Sequence, residues 1–196
     1  MTDRLFVAVT PPPAVVDALE TLVGPRRDMT PPWRWLASRT WHVTLAFLGD
    51  VDGDRQDALG DLLADVARTT APFRLAVAGG RAFPNPRAAK AVVLAGSGGV
   101  DDVSHLAQRV RAACSRAGVP PDGARFSPHL TLARCGRGAS ARALLEIADS
   151  FGEHAWDVDG FSLFSSVLAP SGAQYTPLRH FGLDPNPPNA GAASST

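Results

Sequence analysis

The sequence predicts a mixed fold of helices and strands gathered into two lobes across a groove, and three observations carry that reading. Segments with strand character, either alternating or wholly apolar, interleave with segments of helical period. The elements divide into two halves of similar content. Each half holds one strand segment of the same make. These are Trp41-His42-Val43-Thr44-Leu45-Ala46-Phe47-Leu48 and Pro128-His129-Leu130-Thr131-Leu132-Ala133-Arg134-Cys135, with their histidines 87 positions apart.

In chain order, Arg4 to Val9 is almost wholly apolar and reads as a central strand. Thr10 is the expected cap of a helix whose first turn accommodates Pro11, Pro12 and Pro13. Val15, Val16, Leu19, Leu22 and Val23 form its apolar stripe, and Gly24-Pro25 ends it. A short strand over Trp33-Arg34-Trp35-Leu36 offers tryptophans either to a nucleobase or to the core. The first His-x-Thr strand follows, closing at Gly49-Asp50. Asp52 to Arg68 reads as a second helix, with Leu59, Leu62, Leu63 and Val66 on one side. Phe73 to Phe83 reads as a strand bent at Gly79-Gly80. A turn at Pro84-Asn85-Pro86-Arg87, a return strand over Ala91 to Ala95 and a loop at Gly96-Ser97-Gly98-Gly99 come next. That glycine cluster lacks the lysine of a P-loop, which argues against ATP binding.

Val100 to Ala117 forms a third helix stopped by Gly118, with His105 as a surface or packing residue. Pro128 marks the start of the second His-x-Thr strand. Ser140 is the expected cap of a fourth helix through Phe151, and strands over Trp156 to Leu168 and Ala173 to Leu183 finish the fold. His154 and His180 lack a matched hydroxyl and are read as structural. Residues 1–183 are expected to form a single bilobal domain. From Asp184 to Thr196 the Pro- and Asn-rich tail has no apolar pattern and is expected to be disordered.

At 45% hydrophobic residues the chain can bury a core. Its formal net charge of zero excludes a global field drawing in long nucleic acid, so an RNA partner would be held locally, at an end or over a few nucleotides. Lys90 is the only lysine among the 19 basic residues, and the remainder are arginines, whose planar fork suits phosphate. Cys114 and Cys135 are too few for a disulfide framework. The apolar start is too short for a signal peptide and no stretch reaches membrane-spanning length, so a cytoplasmic protein without a membrane partner is expected.

On a strand His42 and Thr44 share one face, about 6–7 Å apart, while Val43, Leu45 and Phe47 take the other face toward a core. His129 and Thr131 repeat the geometry with Leu130 and Leu132 behind them. Composition alone would produce such a matched pair on the order of once in several thousand chains. A zinc site would favour His-x-His, Cys-x-x-Cys or a nearby carboxylate, and neither segment offers one. Paired imidazoles can serve as acid and base in one turnover, with the threonine hydroxyls donating to phosphoryl oxygens. Arg134 could add a charge-assisted fork, but strict alternation puts it on the face opposite His129, so that role needs a bulge or a strand end. Water suffices as nucleophile, and no metal or cofactor is called for. The reaction class that fits is hydrolysis of a strained phosphodiester.

These paired motifs resemble the signatures of the 2H phosphoesterase superfamily. The wider context is similar to its RNA 2′,3′-cyclic phosphodiesterase branch, also called 2′-5′ RNA ligases. That context comprises Arg4-Leu5-Phe6-Val7-Ala8-Val9, Ala46-Phe47-Leu48-Gly49, Phe83-Pro84, the block Phe126 to Arg134, and Ser166-Val167-Leu168 with Gly172 and Tyr175. The resemblance implies a bilobal α+β fold, with two antiparallel sheets facing a central cleft and helices packed outside. It also implies metal-independent opening of an RNA or nucleoside 2′,3′-cyclic phosphate to a 2′-phosphate, and reversible 2′-5′ ligation without ATP. By the same resemblance His42 is the proton donor, His129 the proton acceptor, and Thr44, Thr131 and Arg134 hold the phosphate. The residues themselves leave donor and acceptor open. Partners would be RNA ends or nucleotides bearing a 2′,3′-cyclic phosphate, met by a monomer. Two alternatives stand beside this: action on 2′-5′ linkages or on a small cyclic nucleotide such as ADP-ribose cyclic phosphate, and a non-catalytic module binding phosphorylated RNA ends. Arg81 to Lys90 is alanine-rich and departs from the family pattern in lacking aromatics that could sandwich a base, which leaves substrate preference open.

Overall fold

The computed structural model of the protein describes residues 2–28, 31–169 and 172–188. Its strands are β1 (Thr2–Val9), β2 (Arg34–Trp35), β3 (Val43–Asp52), β4 (Phe73–Phe83), β5 (Ala89–Gly98), β6 (His129–Ala139), β7 (His154–Val158), β8 (Gly160–Ala169) and β9 (Gly172–Gly182). The helices are α1 (Pro13–Val23), α2 (Gly53–Arg68), α3 (Val100–Arg116) and α4 (Arg142–Asp149). The α+β class is as the sequence predicts. The strands form an antiparallel sheet in the order β7-β4-β5-β6-β3-β1-β8-β9, with β2 added beside β6.

Four strands lie on each side of the β3–β6 junction, and that junction is a single register pair, Val43 with Leu130. The two expected sheets are therefore joined at one point and diverge on either side of it, which opens a cleft. The lobes are not the two halves of the chain. β4 to β7 make one, whereas β8 returns to pair with β1 and β9 pairs with β8 to complete the other. For the same reason the expected strand from Trp156 to Leu168 is two strands. It breaks at Asp159, sending β7 to the edge beside β4 and β8 to β1. Helices α2 and α3 pack on each other and on β3, and α4 lies on β4 and β5.

Several local expectations are corrected. Thr10 caps nothing: Pro12 is the N-cap of α1, and its carbonyl accepts from the amides of Val15 and Val16 at 3.0 and 3.1 Å. Pyrrolidine rings preset the first-turn backbone, so no hydroxyl is required there. Ser140 likewise caps nothing. Ala141 occupies the N-cap of α4, its amide donating to Pro86 O at 2.8 Å. Gly96 and Gly98 belong to β5, and only Gly99, at φ +65°, turns the chain into α3. β3 runs past Gly49-Asp50 to Asp52. Trp33 and Trp35 are buried, their indole N–H groups donating to Ser140 O (3.2 Å) and Arg26 O (3.1 Å), which identifies them as packing residues. Of the tail, the Asp184 amide is tied to Ala67 O and Thr70 O, and residues 189–196 lie outside those described.

Candidate active site

The two His-x-Thr segments carry the same irregularity at the same place. Between β1 and β3, Val7 pairs with Ala46 and Ala8 with Thr44, so Leu45 is an extra residue. Between β5 and β6, Val92 pairs with Ala133 and Val93 with Thr131, so Leu132 is extra. Each bulge resets the alternation by one residue. Leu45 and Ala46 both point inward and are buried, as are Leu132 and Ala133. The residue five positions after each histidine therefore comes back to the histidine's own face. In β6 that residue is Arg134, so the face-sharing that strict alternation denied is restored. In β3 it is Phe47, which is 47% exposed rather than in the core, against the sequence expectation. Phe47 pairs with Phe6 in register, their rings 6.2 Å apart.

His42 sits one residue ahead of β3 and His129 opens β6. Antiparallel pairing through Val43 and Leu130 points His42 toward the Thr131 side and Thr44 toward the His129 side. Each imidazole is held by the carbonyl two residues earlier: His42 Nδ1 lies 2.7 Å from Thr40 O, and His129 Nδ1 lies 2.7 Å from Ser127 O. A carbonyl only accepts, so each Nδ1 carries the proton and each Nε2 is left for chemistry. Thr40 is itself buried and fixed by its hydroxyl, which donates to Ala37 O at 2.7 Å.

The surroundings of the two rings differ. Phe6 lies 4.9 Å from His42 and Tyr175 meets it edge-on at 5.4 Å, with Phe164 stacked beneath Phe6 at 5.1 Å. Burial in this aromatic nest pushes His42 down from 6.5 to about 4, with further lowering from the positive charges of His129 and Arg134 and an opposing contribution from the Thr40 carbonyl. His42 is thus neutral near pH 7. Among the described residues, the aromatic ring against His129 is that of Phe83, at 5.6 Å, and Phe83 is 42% exposed.

Beside the histidines lies a cleft of about 1020 Å³. Its walls include Phe6, Tyr175 and Thr40, which hold His42, together with Phe47 and Arg134. Arg4, Arg34 and Arg39 also line it. Among the described residues, none of these three nor Arg134 forms an ion pair, whereas Arg27, a further wall residue, is paired with Glu20 at 2.7 Å. No three His, Cys, Asp or Glu side chains among the described residues cluster as a metal would require, and no described helix is long and apolar enough to cross a membrane. His105 is exposed on α3, His154 stacks on Phe151 at 4.0 Å, and His180 pairs with Ser162 at 3.0 Å, outside the paired-histidine site.

The structure therefore brings His42, Thr44, His129, Thr131 and Arg134 to one face. The sequence reading missed Phe6 as the cover of His42, and it missed the arginine lining. The signal for Arg34 was present, since an arginine alternating between two tryptophans must face away from the side that buries them.

A family model described as the 2′-5′ RNA ligase superfamily matches residues 11–168. The chain is 34% identical over 192 residues to an RNA 2′,3′-cyclic phosphodiesterase of Thermus thermophilus, covering 92% of this chain and 90% of that one. A protein of the same name from Geobacillus stearothermophilus is 33% identical over 129 residues, which are 66% of this chain and 41% of that relative. The crystal structure of E. coli LigT complexed with 3′-AMP matches with a TM-score of 0.74 at 26% identity, over 93% of this chain and 99% of that one. By both the family match and the 34% identity over nearly the full length of the Thermus thermophilus relative, the chain belongs to the 2′-5′ RNA ligase superfamily.

Proposed function

We propose that this protein is an RNA 2′,3′-cyclic phosphodiesterase, hydrolysing the cyclic phosphate at an RNA end to leave a 2′-phosphate. The observation that carries the reading is the matched presentation of two histidines, each with its Nδ1 engaged by the preceding backbone and its Nε2 unengaged, on a face shared with two threonines and Arg134. Near full-length similarity to proteins named for this activity supports it.

In this scheme His129 Nε2 takes a proton from water as the water oxygen bonds to phosphorus. The P–O3′ bond breaks, and His42 gives its Nε2 proton to the departing O3′. Products are a 3′-hydroxyl and a 2′-phosphate, and the two imidazoles then exchange protons with solvent. His42, which burial keeps neutral near pH 7, takes up its Nε2 proton together with the substrate, the imidazolium then being paired with the anionic phosphate. Thr44, Thr131 and Arg134 hold the phosphoryl oxygens as charge builds on them. A 5′-hydroxyl in place of water gives a 2′-5′ linkage by the same proton transfers, which accounts for ligation without ATP.

The test is incubation of purified protein with RNA ending in a 2′,3′-cyclic phosphate, with and without EDTA. The expected product is the 2′-phosphate in both. A 3′-phosphate, no turnover, or loss of turnover in EDTA restored by a divalent ion would contradict the scheme. Parallel reactions with a 2′-5′ linked dinucleotide and with ADP-ribose cyclic phosphate separate the alternative substrates.

A further inference from the structure

β2 is only two residues long, yet it places Arg34 directly across from Arg134 in antiparallel register, with Trp35 across from Ala133 on the buried side. Directly opposed residues share a face at about 4.5–5.5 Å between Cβ atoms, and like charges in that relation repel. Both arginines are exposed, and neither has an ion-pair partner among the described residues. The head of Arg34 reaches the β8–β9 hairpin: a Cβ on Gly172 would lie 3.2 Å from its Nη1. Arg34 and Arg134 together border the main cleft and an adjoining hollow of about 490 Å³, which Lys90 also lines.

This is more positive charge than one reacting phosphodiester uses. A cyclic phosphate carries a single negative charge, and Arg134 with the two threonine hydroxyls already serves it. Arg4, Arg34 and Arg39 remain, and the acidic wall residue Asp122 is 3.6 Å from Arg111. Of these, Arg34 is the one that the register holds directly opposite Arg134. A chain of net charge zero has concentrated unpaired cations in the cleft.

We infer that Arg34 holds the phosphate of the internucleotide linkage preceding the terminal nucleotide, so that the cleft favours an RNA strand over a mononucleotide. This rests on the cyclic phosphodiesterase reading. A second anion also relieves the repulsion of the opposed arginines, which no ion pair among the described residues offsets.

The experiment measures kcat/KM for a short RNA ending in a 2′,3′-cyclic phosphate and for a mononucleoside 2′,3′-cyclic phosphate, in wild type, Arg34→Ala and Arg34→Lys. The oligonucleotide-to-mononucleotide ratio should fall about 10- to 100-fold in Arg34→Ala, as expected for loss of a hydrogen bond to a charged group. Lysine should restore part of it. The slope of log kcat/KM against log salt on the oligonucleotide should become shallower by about 0.7, the single-strand value for one phosphate contact. Arg34→Ala should melt no lower than wild type, since it removes a like-charge contact. An unchanged ratio and slope, or equal losses on both substrates, would overturn the inference while leaving the proposed function standing. Wild type inert on both substrates would instead overturn the function itself.

Discussion

The His42 and His129 sides of the cleft share a backbone and differ in the side chains packed around the rings. Both place a histidine ahead of Thr-Leu-Ala, bond Nδ1 to the carbonyl two residues earlier, and spend one bulge between the threonine and the fifth residue. Yet His42 lies among Phe6 and Tyr175, and its fifth neighbour is Phe47. His129 packs against the half-exposed Phe83, and its fifth neighbour is Arg134. Two equal scaffolds supply two positioned imidazoles, and the unequal surroundings then distinguish them. One is desolvated, which lowers it to about 4 and leaves it neutral near pH 7. The other packs against Phe83, and the guanidinium of Arg134 on its own strand reaches far enough across to lower His42 further.

The largest effect should come from removing either imidazole. His42→Ala and His129→Ala should each lower kcat/KM on a 2′,3′-cyclic nucleotide by about 100- to 10,000-fold with the fold retained. The double variant should be little worse than the poorer single, because groups acting in one step are not additive. Near-normal turnover by either single variant would remove it from the mechanism.

Arg134→Ala should cost about 100- to 1000-fold, comparable to losing a donor to a developing oxyanion. Phe47→Ala, at the matching position on the other side, should cost far less in kcat. Equal losses from the two would mean that the asymmetry between the two sides has no consequence for the chemistry.

A smaller effect is thermodynamic. His42 titrates at 6.5 when unfolded and at about 4 when folded. Above pH 6.5 both states are neutral and the residue is silent. As pH falls the unfolded chain takes up the proton first, so stability is lost, reaching about 2–3 kcal/mol near pH 4.5. Urea unfolding at pH 7.5 and 4.5 should show His42→Asn losing less stability on acidification than wild type by about that amount. Identical acid sensitivity would mean the aromatic nest does not desolvate the ring.

What was legible in the sequence was local. His42, Thr44, His129 and Thr131 were readable because a two-residue alternation needs no knowledge of partners, and the second, matched segment turned a weak motif into a strong one. The bulges were not readable. Leu45-Ala46 and Leu132-Ala133 are apolar pairs whose phase is decided by β1 and β5 across the ladder, so Phe47 was misplaced and Arg134 was left depending on an irregularity. The strand break at Asp159 was equally hidden, because the attraction of β8 to β1 acts across most of the chain. The cationic wall is assembled from Arg4, Arg34, Arg39 and Arg134, and a net charge of zero concealed it. Capping failed for a simpler reason: a hydroxyl in the right place was assumed to be used, where proline rings and a backbone carbonyl sufficed.

The central claim is that the two imidazoles move protons in opposite directions on one phosphate. The pH dependence of the residual kcat/KM in each single variant tests it most directly, since a phosphodiester substrate keeps one charge throughout. His129→Ala, left with the donor, should lose activity as pH rises above about 4. His42→Ala, left with the acceptor, should gain activity as pH rises. Slopes of the same sign in both variants, or slopes exchanged between them, would contradict the assignment.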